Sequence, residues 1–248
     1  MKKPTNNTKI RYLDNSLLIN DEILVLTDFH IGYEEYLFGK YIPIRIQYDE
    51  IIKNLDEIFS NLKKEHVKLK EIVILGDLKH EFGDISDSEW RETLSLLDHF
   101  LGKCDKIVLI KGNHDNILGP IARKRDVELK EFHIIDEICF LHGDKWIKEC
   151  DKCNIVIMGH LHPAVTLNDS YKKEKFKCFL NGKWKGRDVY VLPSFVPLVF
   201  GYDFMDHNRL EKGFSMIDNK DFKNFEVIIY DKKDNKEYNF GKLGKLMK

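Results

Sequence analysis

Residues 106–116 read KIVLIKGNHDN: an almost unbroken apolar run breaks into glycine, an amide, an imidazole and a carboxylate. Such a run, bounded by a turn, reads as a strand buried on both faces, as in sheets covered by helices. Working outward, the same pattern recurs in EILVLTD (22–28), EIVILGD (71–77), ICFLHGD (138–144), NIVIMGH (154–160) and DVYVLPS (188–194). Between the first two β-runs, apolar residues at 48, 51, 52, 55, 58, 59 and 62 repeat with helical spacing. Between the second and third, Ser86 and Glu89 form a capping box ahead of Trp90, Leu94, Leu97 and Leu101. Strand, helix, strand, helix, strand predicts right-handed crossovers and a parallel sheet. After residue 160, KFKCFL followed by Asn181-Gly182 predicts a hairpin, with further strands at GFSMID (213–218) and FEVIIYD (225–231). The tail GKLGKLMK is expected to fray.

The chain has 248 residues, 40 basic against 41 acidic, and a net charge of −1. Its 43% hydrophobic and 33% charged content describes an ordinary globular protein, with no global field for nucleic acid. It reads as a single domain over 1–248, with a core at about 22–200 and terminal strands and tail at 201–248. No apolar stretch approaches the roughly 20 residues of a membrane span, and no apolar segment follows the basic N-terminus. These features predict a cytoplasmic protein without membrane contact. Five cysteines without a secretory signal are expected to be reduced thiols. Cys150 and Cys153 form a lone CxxC, and zinc there would normally call for a second pair.

Each early strand ends in metal-binding chemistry: Asp28 and His30, then Asp77, then Asn113-His114-Asp115, then His142, then His160 and His162. Ligands in open α/β sheets sit beyond the carboxyl ends of strands, so five strand ends can meet at one point. If the chain is extended there, Asp28 with His30 and His160 with His162 share a face. Nitrogen ligands mixed with carboxylates suit manganese, iron or zinc better than calcium. Two such ions roughly 3.5–4 Å apart can hold a bridging hydroxide and neutralise charge in an in-line phosphoryl displacement. Asn113 offers a neutral oxygen, His114 is free to protonate the leaving oxygen or steady the transition state, and Asp115 orients His114 or the loop.

The ordered set DFHIGYE, GDLKH, GNHD, HG and GHLHP resembles the calcineurin-like metallophosphoesterases, most closely the branch related to the SbcD and Mre11 nucleases. The resemblance implies a four-layer α/β/β/α sandwich, two mixed sheets flanked by helices. It further implies one metal on Asp28, His30 and His162, a second on Asn113, His142 and His160, and Asp77 bridging both. Two divalent ions are expected, manganese foremost, with iron, zinc, nickel or cobalt as alternatives. His80 matches a histidine near the site of those nucleases, and Arg45 is a weaker candidate for substrate contact.

The resulting expectation is a two-metal phosphodiesterase acting on nucleic acid or a nucleotide. Its rivals are a phosphomonoesterase or nucleotide phosphatase on the same site, and a metal-binding scaffold without activity. The stretch 171–187, YKKEKFKCFLNGKWKGR, carries seven basic residues against one acidic, interleaved with Tyr171, Phe176, Phe179 and Trp184. It is the expected contact for single-stranded nucleic acid if those rings are exposed. The apolar LPSFVPLVFGYD (192–203) is expected to wall the cleft.

Overall fold

The computed structural model describes residues 8–39, 45–83, 85–168, 172–206 and 214–247. The first sheet takes β1 (Ile10–Leu13), β2 (Ser16–Ile19), β3 (Ile23–Leu26), β4 (Leu69–Ile74), β5 (Cys104–Ile110) and β6 (Glu128–Lys130), in that spatial order. β3 to β6 run parallel, and β1 to β3 are an antiparallel meander on one edge. Four helices accompany this half of the chain: α1 (Tyr33–Phe38), α2 (Ile46–Lys64), α3 (Asp87–Leu101) and α4 (Leu118–Lys124). At the start of α3 the Ser86 hydroxyl accepts the Glu89 amide at 3.1 Å, as the capping box predicts.

The remaining strands are β7 (Phe132–Ile135), β8 (Ile138–Leu141), β9 (Ile155–Met158), β10 (Pro163–Asn168), β11 (Lys173–Lys177), β12 (Phe179–Trp184), β13 (Arg187–Val191), β14 (Tyr202–Asp203), β15 (Glu226–Asp231) and β16 (Lys236–Lys242). Seven of them form a second mixed sheet, ordered β16-β15-β12-β13-β9-β8-β7. A three-stranded sheet, β11-β10-β14, lies apart from it.

Alternation along the strands builds the layers. In the first sheet Leu24, Leu26, Ile72, Ile74 and Leu109 face α2, α3 and α4, burying Ile51, Leu55, Leu97 and Phe100. Their neighbours Val25, Val73, Val108 and Ile110 turn inward against Ile138, Phe140, Ile157 and Leu192 of the second sheet. Two mixed sheets packed face to face, with helices outside, are the expected α/β sandwich. The fourth layer is more varied than expected. Phe222 of a short 3-10 turn, Leu243 of α5 (Leu243–Leu246) and Val165 of the small sheet cover the second sheet's outer face. No helix among the described residues is long and apolar enough to cross a membrane.

Four local expectations fail. The hairpin turn falls at Lys185-Gly186, both with positive φ (47° and 81°) as a two-residue type I′ turn requires. Asn181 and Gly182 instead lie inside β12, where a Cβ on Gly182 would come within 2.5 Å of the Phe225 ring. GFSMID is no strand over its described residues, 214–218, which reach the loops after β8 and β9 through the Met216 amide on the Gly143 carbonyl and the Phe214 carbonyl on the His160 ring. The tail docks rather than frays, since Leu243 is buried and its amide donates to the Phe225 carbonyl. Cysteine usage is the fourth. Cys139 and Cys150 form a disulfide, while Cys104, Cys153 and Cys178 are free. Cys139 points to the outer face of β8, where the turn carrying Cys150 packs, so three-dimensional proximity overrides the CxxC spacing. That pairing removes the support that five reduced thiols lent to a reducing compartment.

Candidate metal centre

The ends of β3, β4, β5, β8 and β9 meet, and their loops are laced together by backbone bonds. The Asp28 amide donates to the Gly76 carbonyl (3.1 Å), His30 to Asp77 (2.9 Å) and Ile31 to Leu78 (3.0 Å). Asp115 locks two loops rather than His114. One of its carboxylate oxygens accepts the Gly112 amide (2.9 Å), and the other accepts the amides of Leu78 (3.1 Å) and Lys79 (3.4 Å).

The extended backbone assumed for the DxH and HxH pairs is not what brings them together. Asp28, His30, Asp77, His160 and His162 all adopt positive φ, between 44° and 69°. Non-glycine residues rarely visit this region, although Asp and His tolerate it best. Strain of this kind gathers at functional sites and persists only where the surroundings impose it. Here the lacing imposes it, with help from an apolar strap. Phe195 and Val196 donate their amides to the carbonyls of Thr27 (3.0 Å) and Asp28 (3.2 Å), and the Lys177 ammonium in turn holds the Ser194 carbonyl (2.8 Å) and that of Val196. Thus the LPSFVP segment acts as a backing for the site, and sequence reading had no signal for the role of Lys177. Gly159 is confined as well, because a Cβ there would strike the Thr27 hydroxyl and lie 2.6 Å from Asp28 Oδ2.

Three groups of ligand atoms converge, one of them formed by His30, His80 and His114. Asp28, His30 and His162 each offer one ligand atom within 4.8 Å of the others, and so do Asp77, His142 and His160. His162 Nε2 is 3.2 Å from Asp28 Oδ1, and His30 Nε2 is 3.3 Å from His162 Nε2 and 3.7 Å from Asp77 Oδ2. His142 Nε2 lies 3.5 Å from Asp77 Oδ2, 2.9 Å from Asn113 Oδ1 and 3.1 Å from His160 Nδ1. Asp77 therefore stands between both sets.

Hydrogen bonding at the far side of each ring fixes what it presents. His142 Nδ1–H donates to the Leu75 carbonyl (2.8 Å), and His160 Nε2–H donates to the Phe214 carbonyl (2.7 Å). Each neutral ring thus turns a lone pair inward. Lone pairs of two imidazoles, an amide oxygen and a carboxylate face one another with no donor between them. Asp28 Oδ1 is likewise buried without a hydrogen-bond partner. Repulsive acceptors brought this close are what a bound cation would satisfy, so the donor set fits divalent metal.

Charge points the same way. Burial pushes the Asp77 carboxyl up, and nearby Asp28 and Asp115 push it further. For Asp28 burial also pushes upward, but His162, His142 and His30 outweigh it and hold the carboxyl below its usual range. Burial lowers His80 and His160 to about 4 and depresses His30 and His114.

These histidines take up protons less readily in the folded than in the unfolded chain. Between pH 6.5 and about 4 these histidines bind more protons in the unfolded state, so their contribution to stability falls as pH falls, against an opposing contribution from the Asp77 carboxyl, which keeps its proton in the folded chain. Chelator-treated protein should show a urea midpoint that drops from pH 7 to pH 4.5, less steeply in His80→Gln. Equal slopes in the wild type and His80→Gln would contradict the assignment.

His114 sits beside both sets. Its amide donates to Asp77 Oδ1 (2.9 Å), its Nδ1–H to the His80 carbonyl, and its Nε2 is 4.0 Å from Asp77 Oδ2. His80 Nδ1 is 3.2 Å from His30 Nδ1, and its ring stacks on that of His114 at 5.2 Å. Arg45 is engaged elsewhere, its guanidinium bridging Glu35 (2.5 Å) and Glu92 (2.8 Å). Of the other histidines, His99 contacts Asp56 and His133 contacts Glu71, while His207 lies outside the described residues.

The family model for calcineurin-like phosphoesterases matches residues 22–223. This chain belongs to that family. Its members are metal-dependent hydrolases of phosphoesters, and the clustered histidines and aspartates here are in keeping with divalent-metal binding. Among solved structures, the phosphoesterase is similar to the nuclease MPE of Pseudomonas putida, at 17% identity and a TM-score of 0.58, covering 90% of this chain and 96% of that one. A double mutant of Vps29 from Entamoeba histolytica matches at 14% identity and a TM-score of 0.36, covering 88% of this chain and 98% of that one. AQ665 of Aquifex aeolicus, a protein of unknown function, matches at 19% identity and a TM-score of 0.35 over 60% of this chain and 81% of that one. At such identities the first likeness shows the fold, and the other two carry no weight here. No curated protein matches.

Among its described residues the basic stretch does not offer the expected stacking rings; Tyr171 lies outside the described residues. Phe179 and Trp184 are buried, and Phe176 packs against the second sheet's outer core. Alternation in β12 sends Phe179 to one face of the sheet and Trp184 to the other, and both faces are covered. Two of its lysines are committed too, Lys177 as described and Lys175 to the Gly201 carbonyl at 2.6 Å.

Proposed function

We propose that this chain is a two-metal phosphodiesterase, with nucleic acid or a nucleotide as substrate. The observation that carries the reading is the donor-free convergence of acceptors around Asp77, with His114 Nε2 at its edge. Asp28, His30 and His162 would hold one ion, Asn113, His142 and His160 the second, and Asp77 both; manganese suits this set, as do iron, zinc, nickel or cobalt. Such ions supply Lewis acidity to the phosphoryl group and acidify water. His114, its Nδ1–H tied to the His80 carbonyl, keeps Nε2 for the proton that the leaving oxygen needs. Burial lowers the His114 pKa, so the protonated ring gives that proton up readily.

A diester is favoured over a monoester by charge. A monoester dianion asks for added positive charge, yet Arg45 is paired with two carboxylates and the buried Lys79 ammonium is turned to the Glu81 carbonyl. The similarity to a protein named as a nuclease supports the same choice. A panel of bis-p-nitrophenyl phosphate, p-nitrophenyl phosphate, 2′,3′-cyclic nucleotides and single-stranded DNA tests it, with manganese, other divalent metals and chelator. Diester turnover that chelator abolishes is expected. Faster turnover of the monoester would transfer the reading to a phosphatase.

A further inference from the structure

Three exposed aromatic side chains, distant in sequence, each lie against a histidine of the site. Tyr36, 65% exposed, meets His80 with ring centroids 5.0 Å apart. Phe82, 53% exposed, lies 3.7 Å from the His114 ring, and Phe214, 47% exposed, stacks on His160 at 4.5 Å. His80 and His114 are themselves stacked, so Tyr36, His80, His114 and Phe82 make one row of rings. Tyr33 lies against the same row, 4.8 Å from His80 and 6.0 Å from Tyr36.

Core packing does not explain this placement. The hydrophobic clusters of the protein omit Tyr36, Phe82 and Phe214, and apolar surface left open at the rim of a site marks ligand contact. The rim flanks the place where the leaving group would depart, next to His114. A phosphodiester carries groups on both sides of its phosphorus. Flat, uncharged groups attached there would find ring faces at Tyr36 on one end of the row and Phe82 on the other. Unpaired nucleobases are such groups, and every base has a π-face that an aromatic ring can hold whatever its sequence. Paired bases hide those faces inside the duplex.

We propose that Tyr36, Phe82 and Phe214 are base-stacking residues that make unpaired, single-stranded nucleic acid the substrate of this site. The inference rests on the phosphodiesterase reading above and adds the contact that selects the strand. It also moves that contact away from the lysine-rich hairpin, where Phe179 and Trp184 are buried and Phe176 is partly so.

The test uses the full chain with manganese and four substrates: a single-stranded DNA oligomer, the same oligomer annealed to its complement, an abasic sugar-phosphate oligomer of equal length, and a dinucleotide. The readout is the ratio of kcat/KM on the base-bearing strand to that on the abasic one. One stacked base typically contributes a factor of about 5 to 150, so the wild-type ratio should be at least about tenfold. Tyr36→Ala and Phe82→Ala should each pull the ratio toward one, while Tyr36→Trp and Phe82→Trp should preserve it. Duplex should be cut more slowly than the single strand, and the dinucleotide more slowly than the oligomer.

A wild-type ratio near one, or alanine variants that slow both strands equally, would overturn the stacking rim while leaving a diesterase. A dinucleotide turned over as well as the oligomer would overturn the strand as substrate. Absence of turnover on every phosphoester, with metal bound, would overturn the functional reading itself.

Discussion

Asp77→Ala should abolish activity and empty the centre of metal. Asp77 Oδ2 lies within 3.5–3.7 Å of inward-facing nitrogens from both sets, so one substitution removes the charge that would serve both ions of the proposed centre. Asp77 Oδ1 also accepts the His114 amide, so the loop that carries the proposed acid loses this anchor too. Loss of about 10⁴-fold or more in kcat/KM is expected, with metal content falling from about two ions per chain toward zero. Elemental analysis of dialysed protein and diester turnover across a manganese titration check this. Two tightly held ions with full turnover in Asp77→Ala would sink the assignment. Thermal stability offers a third reading, because the metal-free variant no longer buries a carboxyl beside Asp28 and Asp115. Without metal it should be at least as stable as metal-free wild type.

His114→Ala should behave differently, keeping its metal while kcat falls by roughly 10²–10⁴-fold. The His114 ring belongs to neither of the two sets gathered around Asp28 and Asp77, and it touches the site through Nε2, 4.0 Å from Asp77 Oδ2. A proton donor matters most where the leaving oxygen is basic. The loss should therefore be large on an alkyl or nucleoside leaving group and small on p-nitrophenolate, whose departure needs no proton. Equal losses on both would indicate electrostatic or positional help instead of acid catalysis. Loss of an ion from His114→Ala would show that the ring ligates, since His30, His80 and His114 also converge within 4.8 Å.

Much of this site was legible because metal chemistry is written in side-chain type and order. Apolar β-runs fixed where strands lie, and each ended in Asp, Asn or His, so the candidate ligands and the parallel half of the sandwich could be read from spacing. Such features are local: burial on both faces demands continuous apolar residues, and a cation demands lone pairs. The capping box at Ser86 was foreseeable for the same reason, whereas the two mixed sheets were expected only from the resemblance to the calcineurin-like metallophosphoesterases.

Tertiary contacts decided what the chain could not encode locally. The left-handed backbone at Asp28, His30, Asp77, His160 and His162 exists only because loops from distant strands bond to one another, so the extended geometry inferred for DxH and HxH was the wrong route to a shared face. Asp115 proved to join two loops, and Lys177 to hold the strap behind Asp28, roles that depend on partners 36 and 19 residues away. The Cys139–Cys150 pair and the docking of Leu243 likewise follow from which face of the second sheet was left to cover. Ring exposure is the sharpest case. Sequence placed Phe179 and Trp184 among lysines and Tyr36 and Phe82 among unremarkable neighbours. Folding buries the first pair between layers and leaves the second open beside the histidines, because exposure depends on what packs above a residue, and that is a property of the whole chain.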